Sequence, residues 1–90
     1  MTTIAQDITG WRSDIRIMER ANIHQTAVLC YAYNWATNPA SLRTDREHSA
    51  CRRFAAWCRK RLKGRTHWFE SESGRLMPMG GSAASLTRRS

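Results

Sequence analysis

Apolar residues recur at steps of three and four along the N-terminal stretch, which is the spacing of one face of an amphipathic helix. The repeat consists of Ile4, Ile8, Trp11, Ile15 and Met18. Thr3 with Gln6 predicts a capping box at the start of this helix. Gly10 lowers the helix propensity, so a start near Thr9 is the alternative. We expect the stripe to pack within the chain or, alternatively, to form the seam of a homodimer.

A second helix is predicted over residues 23–36, because Asn22 with Gln25 repeats the capping signal. Residues 27–33, AVLCYAY, are wholly apolar and indicate a buried element. Periodicity alone does not separate a buried helix from a buried strand, and the length of the segment favours the helix. Pro39 follows it closely, and the residue before a proline avoids the α region, so the helix ends before this point.

The best-supported helix lies between Thr44 and Gly64. Thr44 and Glu47 predict a capping box, and Gly64 lies where the left-handed turn after a helix favours glycine. One stripe of this helix consists of Cys51, Phe54, Ala55, Cys58 and Leu62. We expect this stripe to face the core, with Phe54 buried against the two preceding helices.

The composition changes after the third helix. Residues 66–70 and 75–79 flank the sequence SESG, which predicts a short β-hairpin with a glycine turn. An extended arm is the alternative. Residues 80–90, GGSAASLTRRS, are small, polar and aperiodic, and we expect a disordered tail. The predicted fold is therefore a mainly α three-helix domain with a C-terminal β-hairpin over residues 1–79, in which residues 44–64 form a basic third helix.

Three helices followed by a hairpin, with the third helix strongly basic, is an order of elements that resembles winged helix-turn-helix domains. The resemblance rests on architecture alone, since no residue-level motif accompanies it. It implies a third helix that enters the major groove of DNA and a hairpin that touches the backbone.

Positive charge is concentrated in the third helix. The chain has a net charge of +8, and residues 44–65 hold eight basic and two acidic side chains. A concentrated excess of one sign predicts affinity for polyanions. Arginine outnumbers lysine six to two in this stretch, and arginine makes forked contacts with phosphate and guanine.

The candidate binding surface is the side of the third helix opposite its apolar stripe. Its predicted contact residues are Arg46, Ser49, Arg52, Arg53, Arg59, Lys60, Lys63 and Arg65. The alternative is a solvated surface that binds nothing. Trp57 lies at the border of the two faces and is expected to pack. Trp68 and Phe69 are candidates for stacking on unpaired bases, although in so small a domain we expect them to close one end of the core.

Thiols and imidazoles are the only side chains that suggest chemistry: His24, Cys30, His48, Cys51, Cys58 and His67. Four of these are suitable types of zinc ligand: His48, Cys51, Cys58 and His67. Their spacing matches no tight structural zinc pattern. Cys51 and Cys58 instead occupy positions where the apolar stripe needs small hydrophobic residues. We therefore expect core thiols, no metal or cofactor, and no enzymatic activity.

These features predict a small, basic, non-enzymatic protein that binds DNA or RNA through the third helix, such as a regulator. The alternative is a small phage or mobile-element inhibitor, similar in size to anti-CRISPR proteins. It would use the same cations on an acidic surface of a host protein or ribonucleoprotein complex and block its nucleic-acid site. The polar opening residues and free thiols predict a cytoplasmic protein without a membrane partner.

Overall fold

The computed structural model describes residues 3–79 and shows three helices followed by a hairpin. The elements are α1 (Ile4–Arg20), α2 (Thr26–Ala36), α3 (Asp45–Leu62), β1 (Trp68–Glu70) and β2 (Leu76–Pro78). The predicted mainly α fold with a C-terminal hairpin is therefore confirmed. The predicted tail, residues 80–90, lies outside the described residues.

Helix α1 begins at the predicted capping box. The Thr3 hydroxyl accepts a hydrogen bond from the Gln6 backbone N–H at 3.1 Å, and the Gln6 side chain accepts one from the Thr3 N–H at 2.8 Å. The helix therefore starts at Ile4 rather than near Thr9. It continues through Gly10, where an added Cβ would meet nothing within 4 Å. Packing thus does not require the glycine.

Helix α2 begins at Thr26, three residues later than the sequence suggests. Asn22, the expected N-cap, has a φ of 58° and ends α1 instead. The N–H groups of Asn22 and Ile23 donate to the carbonyls of Glu19 and Met18 at 3.1 and 2.9 Å, which closes α1 with a Schellman motif. The predicted boundary was wrong because asparagine is favoured both before a helix and in the left-handed position after one.

The predicted stripe of α3 forms the centre of the core. Its members Cys51, Phe54, Ala55, Cys58 and Leu62 are all buried. From α1, Ile8 and Ile15 are buried, and Ile4 and Trp11 pack partly buried against the same core. The amphipathic stripe of α1 is thus covered largely by the chain itself.

Four aromatic rings connect all three helices, and we call them the aromatic column. Trp11 of α1 lies 6.2 Å from Trp35 of α2, measured between ring centroids. Trp35 meets Phe54 of α3 edge-on at 6.2 Å, and Phe54 stacks on Trp57 at 5.6 Å with an interplanar angle of 23°. Such pairs contribute about 0.5–1.5 kcal/mol beyond the area that they bury.

The hairpin is antiparallel, so the extended arm is ruled out. Phe69 lies opposite Met77 in the register, and Gly74 in the connecting turn has a φ of 87°. Pro78 is tolerated in β2 because both strands of a two-stranded sheet are edges.

Polar contacts fasten the hairpin to the helices. The side-chain amide of Asn34 donates to the Leu76 carbonyl at 2.9 Å and accepts from the Leu76 N–H at 2.8 Å. Asn34 therefore satisfies both backbone groups of a buried residue, as a neighbouring strand would. The indole N–H of Trp68 donates to the carbonyls of Leu62 and Arg65 at 3.2 and 3.1 Å. Together with the Arg65 N–H, which also donates to the Leu62 carbonyl at 2.9 Å, these bonds satisfy carbonyls at and just beyond the C-terminal end of α3.

Phe54→Ala should lower the free energy of unfolding by about 3–5 kcal/mol, because it empties the middle of the aromatic column. A loss of that size would unfold much of so small a domain. Urea denaturation followed by circular dichroism measures the change, with the exposed substitution Arg52→Ala as control. An unchanged melting temperature would show that Phe54 does not occupy the centre of the core.

Asn34→Ala should leave the N–H and carbonyl of Leu76 buried without partners, at a cost of about 2–4 kcal/mol. Native-state hydrogen exchange should show the Leu76 amide opening far faster. Asn38→Ala, which removes an exposed loop amide, should leave that rate unchanged. Equal protection of Leu76 in both variants would contradict the anchoring role of Asn34.

Candidate nucleic-acid interface

The outer side of α3 carries a row of exposed cations, which we call the basic face. It consists of Arg46, Arg52, Arg53, Lys60 and Lys63. The two ion pairs of residues 3–79 involve other arginines, so none of these five is paired with a carboxylate there. The apolar stripe and these cations lie on opposite sides of the same helix. Because the stripe is buried in the core, the cations face solvent.

Two small residues lie among the cations. Ser49 is half-buried, and its hydroxyl is 3.4 Å from the Arg52 guanidinium; Ala56 is exposed. Because both side chains are short, the backbone of α3 is accessible between the long cationic side chains at these two positions. A partner surface is thus able to approach the backbone of α3 closely at these positions.

Arg59, another predicted contact residue, is held by contacts within the chain. Its guanidinium donates to the Glu70 carboxylate at 2.8 Å and lies 5.7 Å from the centroid of Tyr33 and 6.0 Å from that of Trp68. The hydrogen bond to Glu70 raises the pKa of Arg59. Arg59 therefore joins α3 to the hairpin, and its charge is partly neutralised.

Arg65 is likewise engaged. Its Nε donates to the Arg61 carbonyl at 3.0 Å, and its Nη2 donates to the side chain of the buried Gln25. These bonds connect the end of α3 to the start of α2. Of the eight predicted contact residues, Arg59 and Arg65 thus have structural partners, whereas the other six lie along the outer side of α3.

A groove runs between the C-terminal half of α3 and the hairpin. It is lined by Ala56, Arg59, Lys60, Lys63 and Trp68. Trp68 forms its aromatic wall and also packs partly buried against the core, as predicted. Phe69 on the other side of β1 is exposed instead of closing the core.

Arginines surround Trp57, which lies between α3 and α1. The Arg61, Arg12 and Arg16 guanidinium carbons lie 3.8, 4.9 and 6.0 Å from its ring centroid. Arg61 also donates to Glu19 at 3.0 Å. Trp57 packs against the core, as predicted, but its cationic surroundings were not predicted.

The sequence does contain a signal for the arginines of α1. Arg12, Arg16 and Arg20 are spaced by four residues, which places them along one side of the helix. The nearly balanced charge of the N-terminal half obscures this row. Only the packing of α1 on α3 shows that Arg12 and Arg16 of this row lie beside Trp57.

The connection between α2 and α3 differs from that of a helix-turn-helix motif. Residues 37–44 join the helices, whereas the motif uses a turn of about three or four residues. Arg43 fixes this connection by donating to the carbonyls of Ala36 and Trp35 at 2.7 and 2.9 Å. The likeness to winged helix-turn-helix domains is therefore one of element order.

The three cysteines are free and buried, which confirms that they are core residues. Burial raises the pKa of Cys30 to about 11 and that of Cys58 to about 12, and it raises the pKa of Cys51 as well. The thiolate, which is the nucleophile and the metal ligand, is thus disfavoured. Across residues 3–79, no three side chains of the metal-binding types converge.

Comparison with protein families, curated proteins and solved structures finds no match to this chain. Among the described helices, none combines the length and apolar character needed to cross a membrane.

The buried thiols should react slowly with a thiol-specific reagent at neutral pH and rapidly once the protein is unfolded, because their raised pKa values keep them protonated. The slow rate should be the same with and without EDTA, and EDTA should leave the circular dichroism spectrum unchanged. Fast labelling only after chelation, together with one zinc per chain by elemental analysis, would instead show a structural metal site.

Proposed function

We propose that this chain is a non-enzymatic nucleic-acid-binding protein that uses the basic face of α3, with backbone phosphates as its main ligands. One observation carries the proposal. Five exposed cations lie on the outer side of one helix, and none is paired with a carboxylate within residues 3–79. A polyanion is the partner whose chemistry fits such a surface.

The alternative of a merely solubilising surface fits the charge pattern less well. Exposed helices usually intersperse both signs, since acidic and basic residues one turn apart stabilise the helix. The acidic residues of α3, Asp45 and Glu47, lie in its first turn, where they complement the helix dipole. The remainder of the outer side therefore repels itself until an anionic partner binds.

The shape of the basic face also supports contact with a phosphate backbone. Ser49 and Ala56 allow close approach, and hydroxyl and guanidinium groups are both common donors to phosphate. The groove beside Trp68 extends the surface from Lys60 and Lys63 towards the hairpin. Phosphate contacts of this kind fix position and supply affinity without reading sequence.

Two pairs of substitutions test the proposal: Arg52→Ala with Arg53→Ala, and Lys60→Ala with Lys63→Ala. Each pair is exposed, so the free energy of unfolding should change by only about 0.5 kcal/mol. Each lost phosphate contact should reduce the slope of log affinity against log salt by about one unit. The corresponding Glu pairs should abolish binding, because they replace attraction with repulsion at the same surface.

Electrophoretic shift and fluorescence anisotropy with short DNA and RNA measure this effect. Arg75→Glu, a charge reversal at the exposed hairpin turn, is the matched control and should preserve binding. Unchanged binding with Glu at all four α3 positions would show that the basic face serves only solubility. Binding to an acidic protein, with no affinity for nucleic acid at low salt, would overturn the proposal in favour of the inhibitor alternative.

A further inference from the structure

Apart from Glu19, helix α1 separates its charges by sign around its circumference. Three arginines line one groove together with two hydroxyl residues: Thr9, Arg12, Ser13, Arg16 and Arg20. Two aspartates line a different groove, with Trp11 and Trp35 in its wall: Asp7 and Asp14. A surface that served solubility alone would need no such separation. We call the three arginines the α1 row.

The α1 row adjoins the basic face of α3 through Trp57. Arg12 and Arg16 approach the Trp57 ring from α1, and Arg61 approaches it from α3. Arg53 lies one turn before Trp57 on α3 and therefore on the same side of that helix. The cations of α1 thus meet those of α3 around the Trp57 ring, which attracts guanidinium groups from both helices beside the basic face.

Charge within this surface is only slightly compensated. Its acidic member is Glu19, which is bonded to Arg61. Arg16 and Arg20 are exposed and form no ion pair within the described part of the chain. Guanidinium groups beside the exposed hydroxyl of Ser13 offer the donor types that commonly contact phosphate oxygens, whereas the Thr9 hydroxyl donates to the Ala5 carbonyl at 3.0 Å.

We propose that the α1 row is a second line of phosphate contacts and that the chain therefore binds double-stranded nucleic acid, with one row on each strand. This inference rests on the proposed function of the α3 face. Packed helices lie about 8–10 Å apart, and the major groove of B-DNA is about 12 Å wide. Long side chains on two neighbouring helices thus reach phosphates on both sides of a groove. A single strand has only one line of phosphates, so it cannot contact both rows in this way.

The double substitution Arg16→Ala with Arg20→Ala tests this inference. Arg12 is left intact because it is half-buried and packs on both Phe54 and Trp57, whereas Arg16 is exposed and lies farther from the Trp57 ring, at 6.0 Å. The variant should keep its melting temperature, and its salt slope with duplex should fall by about two units, one for each lost contact. Its affinity for a single strand of the same length should change much less. Arg75→Ala serves as the control for loss of positive charge.

The outcomes separate this inference from the proposed function. Wild-type duplex affinity and salt slope in the α1 variant, combined with loss of binding in the α3 variants, would overturn the second row alone. An equal loss on duplex and on single strand would overturn the assignment of one row to each strand. If neither the α1 nor the α3 variants affect nucleic-acid binding, both proposals are wrong.

Discussion

The structure depends on the aromatic column, because its rings join all three helices at one point. Phe54 is fully buried between Trp35 of α2 and Trp57 of α3, and Trp35 in turn contacts Trp11 of α1. This packing fixes which side of α3 faces inward, so it also fixes which side faces solvent. The same column ends at Trp57, where it orients arginines from two helices. The packing of these aromatic rings therefore determines both which residues form the core and which cations face solvent.

The cations of the chain divide into two groups by their contacts. Four arginines make contacts that hold the fold together. Arg43 donates to a carbonyl at the C-terminal end of α2, and Arg59 donates to Glu70 of the hairpin. Arg61 donates to Glu19 of α1, and Arg65 donates to Gln25. The side chains of the five basic-face residues, together with those of Arg16 and Arg20, form no ion pair and no hydrogen bond to a helix end within residues 3–79. Free cations on a surface prepared by a rigid core are what a protein needs to bind a polyanion without rearrangement.

Local sequence rules predicted the elements well, because their causes are local. Capping boxes at Thr3 and Thr44 and the apolar spacing of α1 and α3 gave the right helices. The start of α2 failed because Asn22 suits either side of a helix boundary. The engagement of Arg65 with Gln25 and the proximity of the α1 row to Trp57 depend on tertiary packing. No periodicity in the sequence contains that information. Two predicted contact residues, Arg59 and Arg65, therefore proved to have structural partners, and the arginines beside Trp57 were not predicted.

We propose that the unpaired cations form an interface for phosphates. The most direct measurement is the affinity of the unmodified chain for a short duplex over a series of salt concentrations. Because each phosphate contact contributes about −0.9 to the slope, engagement of the five basic-face cations predicts a linear dependence of about −4.5, and steeper if the α1 row also makes contacts. A slope near zero, or no binding at low salt, would show that the basic-face cations do not bind phosphates.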